Sequence, residues 1–206
     1  SSDVCSSDLA IGSLVKILRP TRESFYRKDY RLVPDPARER HWRDRLAKYG
    51  TALKVGISWR SARQDSIGLR AHTVIEEWKP LFDIPDVVFV NLQYHATDAE
   101  REFLKLALGD RFVFPDDLDA FNDLEGLLAL SSALDLGIAT VGTSGFFPAA
   151  AGIPAWHLLR RGDPLALGMG HRPWFPRTRG FTKRDDESWA RVMNEVRETL
   201  DRLRRA

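Results

Sequence analysis

The sequence predicts an α/β fold, a Rossmann-like parallel sheet with helices on both faces. Three observations predict it. Short apolar runs alternate with amphipathic stretches, so strands alternate with helices, and such chains build parallel sheets through right-handed crossovers. The run Val87-Val88-Phe89-Val90-Asn91-Leu92 is nearly continuously apolar, as a strand covered on both faces must be. Residues 134–159, LDLGIATVGTSGFFPAAAGIPAWHLL, read as a strand, a small polar turn, an alanine-rich helix, a Gly152-Ile153-Pro154 stop and a second strand. That is a βαβ unit of about minimal length.

The elements follow in order. Residues 1–9, SSDVCSSDL, are polar, without periodicity and without a signal-peptide hydrophobic region. They resemble a translated sequencing-adapter artefact and are set apart from the fold as artefact or disorder. Residues 10–50 alternate apolar and basic patches. A turn is expected at Pro34-Asp35-Pro36, then a helix through ARERHWRDRLAKYG that stops at Gly50. This segment has no core of its own and reads as a connector that packs onto something, with a missing domain as one candidate.

Residues 51–206 read as the main domain. A strand is expected at 53–59, a polar loop at 60–71 and a helix around 74–82. A strand at 87–92 and a helix at 98–108 capped by Thr97 come next. A short strand at 111–114 precedes a helix capped by Asn122 or Asp123, which leads into the βαβ unit. A final helix at 188–204 carries Trp189, Val192, Met193, Val196, Leu200 and Leu203 on one stripe, and the arginines between them form a solvated face.

Composition narrows the function classes. The 31 basic and 29 acidic residues leave a net charge of +2, which gives no electrostatic footprint for nucleic acid. No apolar run approaches the roughly 18–20 residues of a membrane-spanning helix. Cys5 is the only cysteine, so neither a disulfide framework nor a thiolate metal site is available, which fits a cytoplasmic protein. The five histidines are scattered, with none three or four residues from another, and predict no zinc site.

In open α/β sheets ligands bind beyond the carboxyl ends of the strands, and three loops gather there: 58–73, 91–97 and 141–146. Ser58-Trp59-Arg60-Ser61 offers a fixed charge between hydroxyls, and an arginine can fork two bonds onto phosphate oxygens. Gln93, in Asn91-Leu92-Gln93-Tyr94-His95, could read a ribose or a base through its amide. His95 is either an acid–base group or a surface residue. Gly142-Thr143-Ser144-Gly145 opens a helix whose unpaired N–H groups and dipole suit a phosphate. Its glycines could instead do no more than permit a tight turn, with the hydroxyls as caps. Neither G-x-G-x-x-G nor G-x-x-x-x-G-K-[ST] occurs, which disfavours dinucleotide dehydrogenases and P-loop NTPases. The acidic group Asp116, Asp117, Asp119 and Asp123 reads mostly as turn and capping residues.

VGISWRS, VVFVNLQY, DLDAFNDLEGLLALSSALDLGIATVGTS, AAAGIPAWHLL and PWFPRTRGF, in that order, resemble the C-terminal half of GT-B glycosyltransferases. The nearest likeness is to the bacterial heptosyltransferase-like group, family 9, often joined to tetratricopeptide repeats. The resemblance implies a domain that binds a nucleotide-diphosphate sugar, with no metal or further cofactor, as part of a longer protein. Its N-terminal half, carrying the acceptor site and usually the catalytic base, would lie upstream. It implies donor-phosphate contacts from Ser58, Arg60, Ser61, Gly142, Thr143, Ser144 and Gly145, and nucleoside contacts from Gln93 and Asp119. The turn carries Gly142 where relatives commonly carry Asp, and Phe146-Phe147-Pro148 where they carry His. That departure supports the alternative of a non-catalytic Rossmann-like module scaffolding tetratricopeptide repeats.

Overall fold

The computed structural model describes residues 13–25, 31–61, 73–140, 142–162, 166–169, 171–175 and 177–205. The 1–9 leader with Cys5, and Arg63 and Arg70 of the first loop, lie outside these residues. A short helix α1 (Leu14–Leu18) and one turn of 3-10 helix (Arg22–Phe25) precede α2 (Pro36–Ala47). Asp35 caps α2 by accepting from the Ala37 and Arg38 amides at 2.9 and 3.0 Å, and Pro36 opens it where no N–H is needed. The chain then leaves the helix through Gly50, at a φ of +56°.

Six strands follow: β1 (Leu53–Ser58), β2 (Val87–Asn91), β3 (Phe112–Val113), β4 (Leu136–Thr140), β5 (Ala155–Arg160) and β6 (Thr178–Lys183). They form one sheet in the order β3-β2-β1-β4-β5-β6, with every pairing parallel. The order runs outward from β1 in both directions, so the chain reverses its winding between β1 and β4, and the carboxyl ends of β1, β2 and β4 share one edge. The register sets Ser58 beside Ala139 and Ile57 beside Asn91 there.

Alternation along the strands divides the core into two layers. Val55, Ile57, Val87, Phe89 and Ile138 point to one face, where they meet Ile75, Trp78, Leu81, Leu104 and the stripe Val192, Met193, Val196 and Leu200. The helices covering this face are α3 (Lys79–Phe82), α4 (Asp98–Leu108) and α7 (Ala190–Arg205). Val88, Val90 and Val113 point to the other, against Trp42 and Leu46 of α2 and Leu127 and Leu130 of α5 (Leu124–Ser132). The α2 segment therefore packs on this sheet, and ion pairs Arg38–Asp123 and Arg45–Asp117 tie it down. Gly56 keeps the second layer close, since a Cβ there would lie 2.6 Å from Leu92 Cδ1.

Two elements differ from the sequence expectation. The helix at 74–82 is split: a 3-10 turn, Ile75–Trp78, precedes α3, because Pro80 has no N–H to continue an α-helical ladder. The segment PWFPRTRGF supplies β6, an edge strand that hides Thr178 and Phe181 and leaves Arg179 in solvent. Only Thr178 and Phe181 of this strand are buried, so exposed and half-buried polar residues interrupt its apolar pattern and mask the signal. Leu203, expected on the α7 stripe, is 43% exposed.

Candidate functional site

The site is built where β1, β2 and β4 end. Gln93, just past β2, is buried, and its Oε1 accepts from Ser58 Oγ at 3.2 Å, the Trp59 amide at 3.1 Å and the Arg60 amide at 3.0 Å. Its Nε2 donates to the Tyr94 carbonyl at 2.8 Å. One amide thereby takes up the donors released where β1 leaves the sheet. Asn91 holds Gln93 in turn, donating to its carbonyl at 3.0 Å and accepting from its amide at 3.2 Å.

Arg60 reaches sideways to α4. Its Nε and Nη2 donate to the two oxygens of Glu100 at 2.9 and 2.8 Å, and Nη2 also donates to the His95 carbonyl at 2.7 Å. Glu100 further accepts from Trp59 Nε1 at 2.7 Å and from the Thr97 amide at 2.7 Å. Burial alone would push the Glu100 carboxyl up. The bonds from Arg60, Trp59 and Thr97, with the guanidinium charge, instead bring it down from 4.5 to about 2. The stabilisation is present above pH 4.5 and is lost as pH falls towards 2. Thermal melts should therefore show a fall in stability between those values that is smaller in Glu100→Gln than in the parent chain. Equal acid sensitivity in both would refute the assignment.

Beside this network lies a cleft of about 240 Å³ between the ends of β2 and β3. Tyr94, His95 and Phe121 wall it with rings 5.1–5.5 Å apart, and Asn91, Gln93 and Asp119 supply polar edges. His95 is exposed and holds a φ of +52°, which turns its carbonyl to Arg60 and its ring towards Phe121. Asp119 caps its own turn, accepting from the Phe121 and Asn122 amides and from Asn122 Nδ2. Its carboxyl is held low chiefly by the Asn122 side chain. Asp116 pairs with Arg101 at 2.5 Å, Asp117 with Arg45, and Asp123 both caps α5 and pairs with Arg38. The acidic group is thus spent on turns, caps and ion pairs. Among the described residues no cluster of His, Cys, Asp and Glu could hold a metal ion.

On the other side of β1, helix α6 (Thr143–Ala150) follows the end of β4. Gly142 is its N-cap, in extended backbone at φ −176° that any residue adopts, so the turn does not require glycine there. A Cβ at Gly142 would sit 3.7 Å from Ser61 Cβ, which brings the β1 loop and the start of α6 into contact. Thr143 and Ser144 are the first two helical residues and not the cap. Helix geometry leaves the amides at these positions without intrahelical acceptors. Thr143 is exposed and Ser144 is buried. Gly145 is demanded by packing, because a Cβ there would lie 2.6 Å from Ala139 Cβ and 3.0 Å from the Thr140 carbonyl. Buried His157 of β5 places Nε2 3.1 Å from the Gly145 carbonyl, and Arg172 stacks 4.4 Å from the Phe146 ring, so the first turn of α6 is braced from below.

The structure thus brings Ser61 and Gly142 together and sets Gln93 and Asp119 around one cleft. It gives Gln93 and Arg60 protein partners as well. Glu100, Tyr94 and Phe121 were missed in the sequence. The T-x-x-E spacing at Thr97 announces only a capping box, and nothing local says that Glu100 also receives Arg60. Among the described residues no helix is long and apolar enough to cross a membrane.

No family model matches the chain. It is 36% identical over 195 residues to Protein FlbA of Caulobacter vibrioides, a match that covers 93% of this chain and 32% of that protein. The chain therefore spans about a third of the length of this curated relative. Among solved structures it is similar to E. coli ADP-heptose lps heptosyltransferase II, with a TM-score of 0.59 at 13% identity over 85% of this chain and 54% of that one. It is also similar to the glycosyl transferase family 9 protein from Veillonella parvula DSM 2008, with a TM-score of 0.55 at 11% identity, covering 82% and 46% of the two chains. E. coli heptosyltransferase WaaC, solved with ADP-2-deoxy-2-fluoro heptose, gives a TM-score of 0.54 at 14% identity, covering 88% and 52%. The six-stranded parallel sheet with helices around it is thus an α/β Rossmann-like fold that matches these GT-B glycosyltransferases.

Proposed function

We propose that this chain is the donor-binding half of a glycosyltransferase that transfers a sugar from a nucleotide-diphosphate sugar to an acceptor hydroxyl. The observation that carries the reading is the convergence at one sheet edge of Arg60, Ser61, the first turn of α6 and the cleft walled by Tyr94, His95 and Phe121. The cleft suits a nucleoside, with rings to stack on the base and the Asp119 turn at its rim. The diphosphate would lie between Arg60 Nη1 and the amides and hydroxyl at Thr143 and Ser144. Gly142 leaves the entry to the helix open to it, Gly145 lets α6 press on β4 and so sets the position of that entry, and Ser58 acts through the Gln93 latch. Support also comes from the solved neighbours, two of which are E. coli heptosyltransferase WaaC with ADP and with ADP-2-deoxy-2-fluoro heptose.

In such a reaction the acceptor oxygen attacks the anomeric carbon, and the bond from that carbon to the diphosphate oxygen breaks. Arg60 and the α6 N-terminus would stabilise the charge that collects on the departing diphosphate, with no metal required. The base that takes the acceptor proton would come from the remainder of a longer protein, the part that would also carry any tetratricopeptide repeats.

Calorimetry with a panel of nucleoside diphosphates is the test. Arg60→Ala should weaken the best ligand about tenfold, the size of one charge-assisted bond, and Thr143→Val several-fold. Unchanged affinity in both variants would sink the proposal. Absence of binding by any nucleotide or nucleotide sugar to folded protein would favour the non-catalytic module.

A further inference from the structure

We infer that Glu100 is a positioning residue for diphosphate recognition: it fixes the Arg60 guanidinium so that one edge, Nη1, is presented to the ligand. The inference rests on the donor-binding reading and assigns a role within it to a residue outside the phosphate contacts. The geometry is specific. Nε and Nη2 of Arg60 are both bonded to Glu100, at 2.9 and 2.8 Å, and Nη2 also to the His95 carbonyl at 2.7 Å. Among the described residues Nη1 alone of the three guanidinium nitrogens has no hydrogen-bond acceptor. The Arg60 side chain is 26% exposed, against 17% for Glu100, so the carboxylate is the inner partner and the guanidinium the outer one.

Each end of Arg60 is held separately. Gln93 fixes its amide and Glu100 its head, while Trp59 Nε1 and the Thr97 amide fix Glu100. A long side chain otherwise free to sample rotamers is thereby set in one pose before the ligand arrives. Preorganisation of this kind raises affinity by removing the ordering cost at binding. The same loop continues to Ser61, which lies near Gly142 at the start of α6, so the residue after Arg60 borders the helix amides where an anion would bind.

The sign of the effect separates positioning from simple electrostatics. A carboxylate near an anion site repels the anion, so by charge alone Glu100→Gln should tighten binding. Positioning predicts the reverse. A glutamine offers one accepting oxygen where the carboxylate offers two, so it cannot reproduce the two-oxygen fork, and its NH₂ sets a donor against one guanidinium donor.

The experiment is titration calorimetry of inorganic pyrophosphate and of the best-binding nucleoside diphosphate, with melting temperatures recorded alongside. Glu100→Gln should weaken pyrophosphate about three- to tenfold, the loss of roughly one oriented hydrogen bond. In an Arg60→Ala background the same substitution should give no further loss. Binding unchanged or tightened by Glu100→Gln, or losses from the two substitutions that simply multiply, would overturn the inference. If Glu100→Gln melts below the assay temperature, Glu100→Asp keeps the charge and withdraws it by one methylene. Weakened binding in that variant supports the inference, and wild-type affinity refutes it. An Arg60→Ala variant that binds like the parent would instead remove the phosphate role of Arg60, and so the reading beneath.

Discussion

Replacing Gln93 by leucine is expected to destabilise the protein by about 3–5 kcal/mol and to abolish measurable nucleotide binding, because three donors lose one acceptor together. Ser58 Oγ and the Trp59 amide are buried, and the Arg60 amide is partly so, so water cannot replace the Gln93 oxygen without opening the β1–β2 edge. For a chain of this size a loss of that kind lowers the melting temperature by on the order of 10 °C. Gln93→Glu retains the acceptor but brings a charge into a buried site and loses the Nε2 bond to Tyr94, so an intermediate fall is expected. A Gln93→Leu variant that melts within about 2 °C of the parent would show that the latch carries less than about 1 kcal/mol.

Gly145→Ala is the second large effect. Its new methyl would lie 2.6 Å from Ala139 Cβ and 3.0 Å from a main-chain oxygen, neither of which is the free end of a flexible side chain. Helix α6 must then lift from β4, at a cost of about 1–3 kcal/mol, as for other overpacked sites. Lifting it also withdraws the Thr143 and Ser144 amides from the site, so nucleotide affinity should fall beyond what stability alone explains. Gly142→Ala is the control: its backbone is extended, and the nearest atom to the added Cβ is 3.7 Å away. Melting curves should leave Gly142→Ala near the parent and move Gly145→Ala clearly down. The opposite order would refute the packing argument.

This contrast bears on what was legible in the sequence. Gly142 and Gly145 look alike there, a pair framing a polar turn. The structure gives them different physics, since one is neither strained nor crowded and the other is pressed against a strand. The hydroxyls of Thr143 and Ser144 suggested capping, but both fall inside the helix, where their amides and not their side chains face the missing acceptors. The Asp119 turn was readable because an Asx cap is a local event, whereas the aromatic cleft beside it was not. Phe121 comes from the segment after β3, while Tyr94 and His95 come from the segment after β2.

By itself the sequence determined the alternation of strands and helices, the buried parallel sheet and the Thr97 cap. These depend on hydrophobic period and on bonds within a few residues. The tertiary structure alone decided that Arg60 belongs to Glu100, 40 residues away, and that Gln93 closes β1 instead of standing open. It also decided that residues 178–183 complete the sheet as its edge. The physical reason is the same in each case. A charged or amide side chain takes whichever partner the packed backbone sets within about 3 Å, and sequence distance carries no information about that choice.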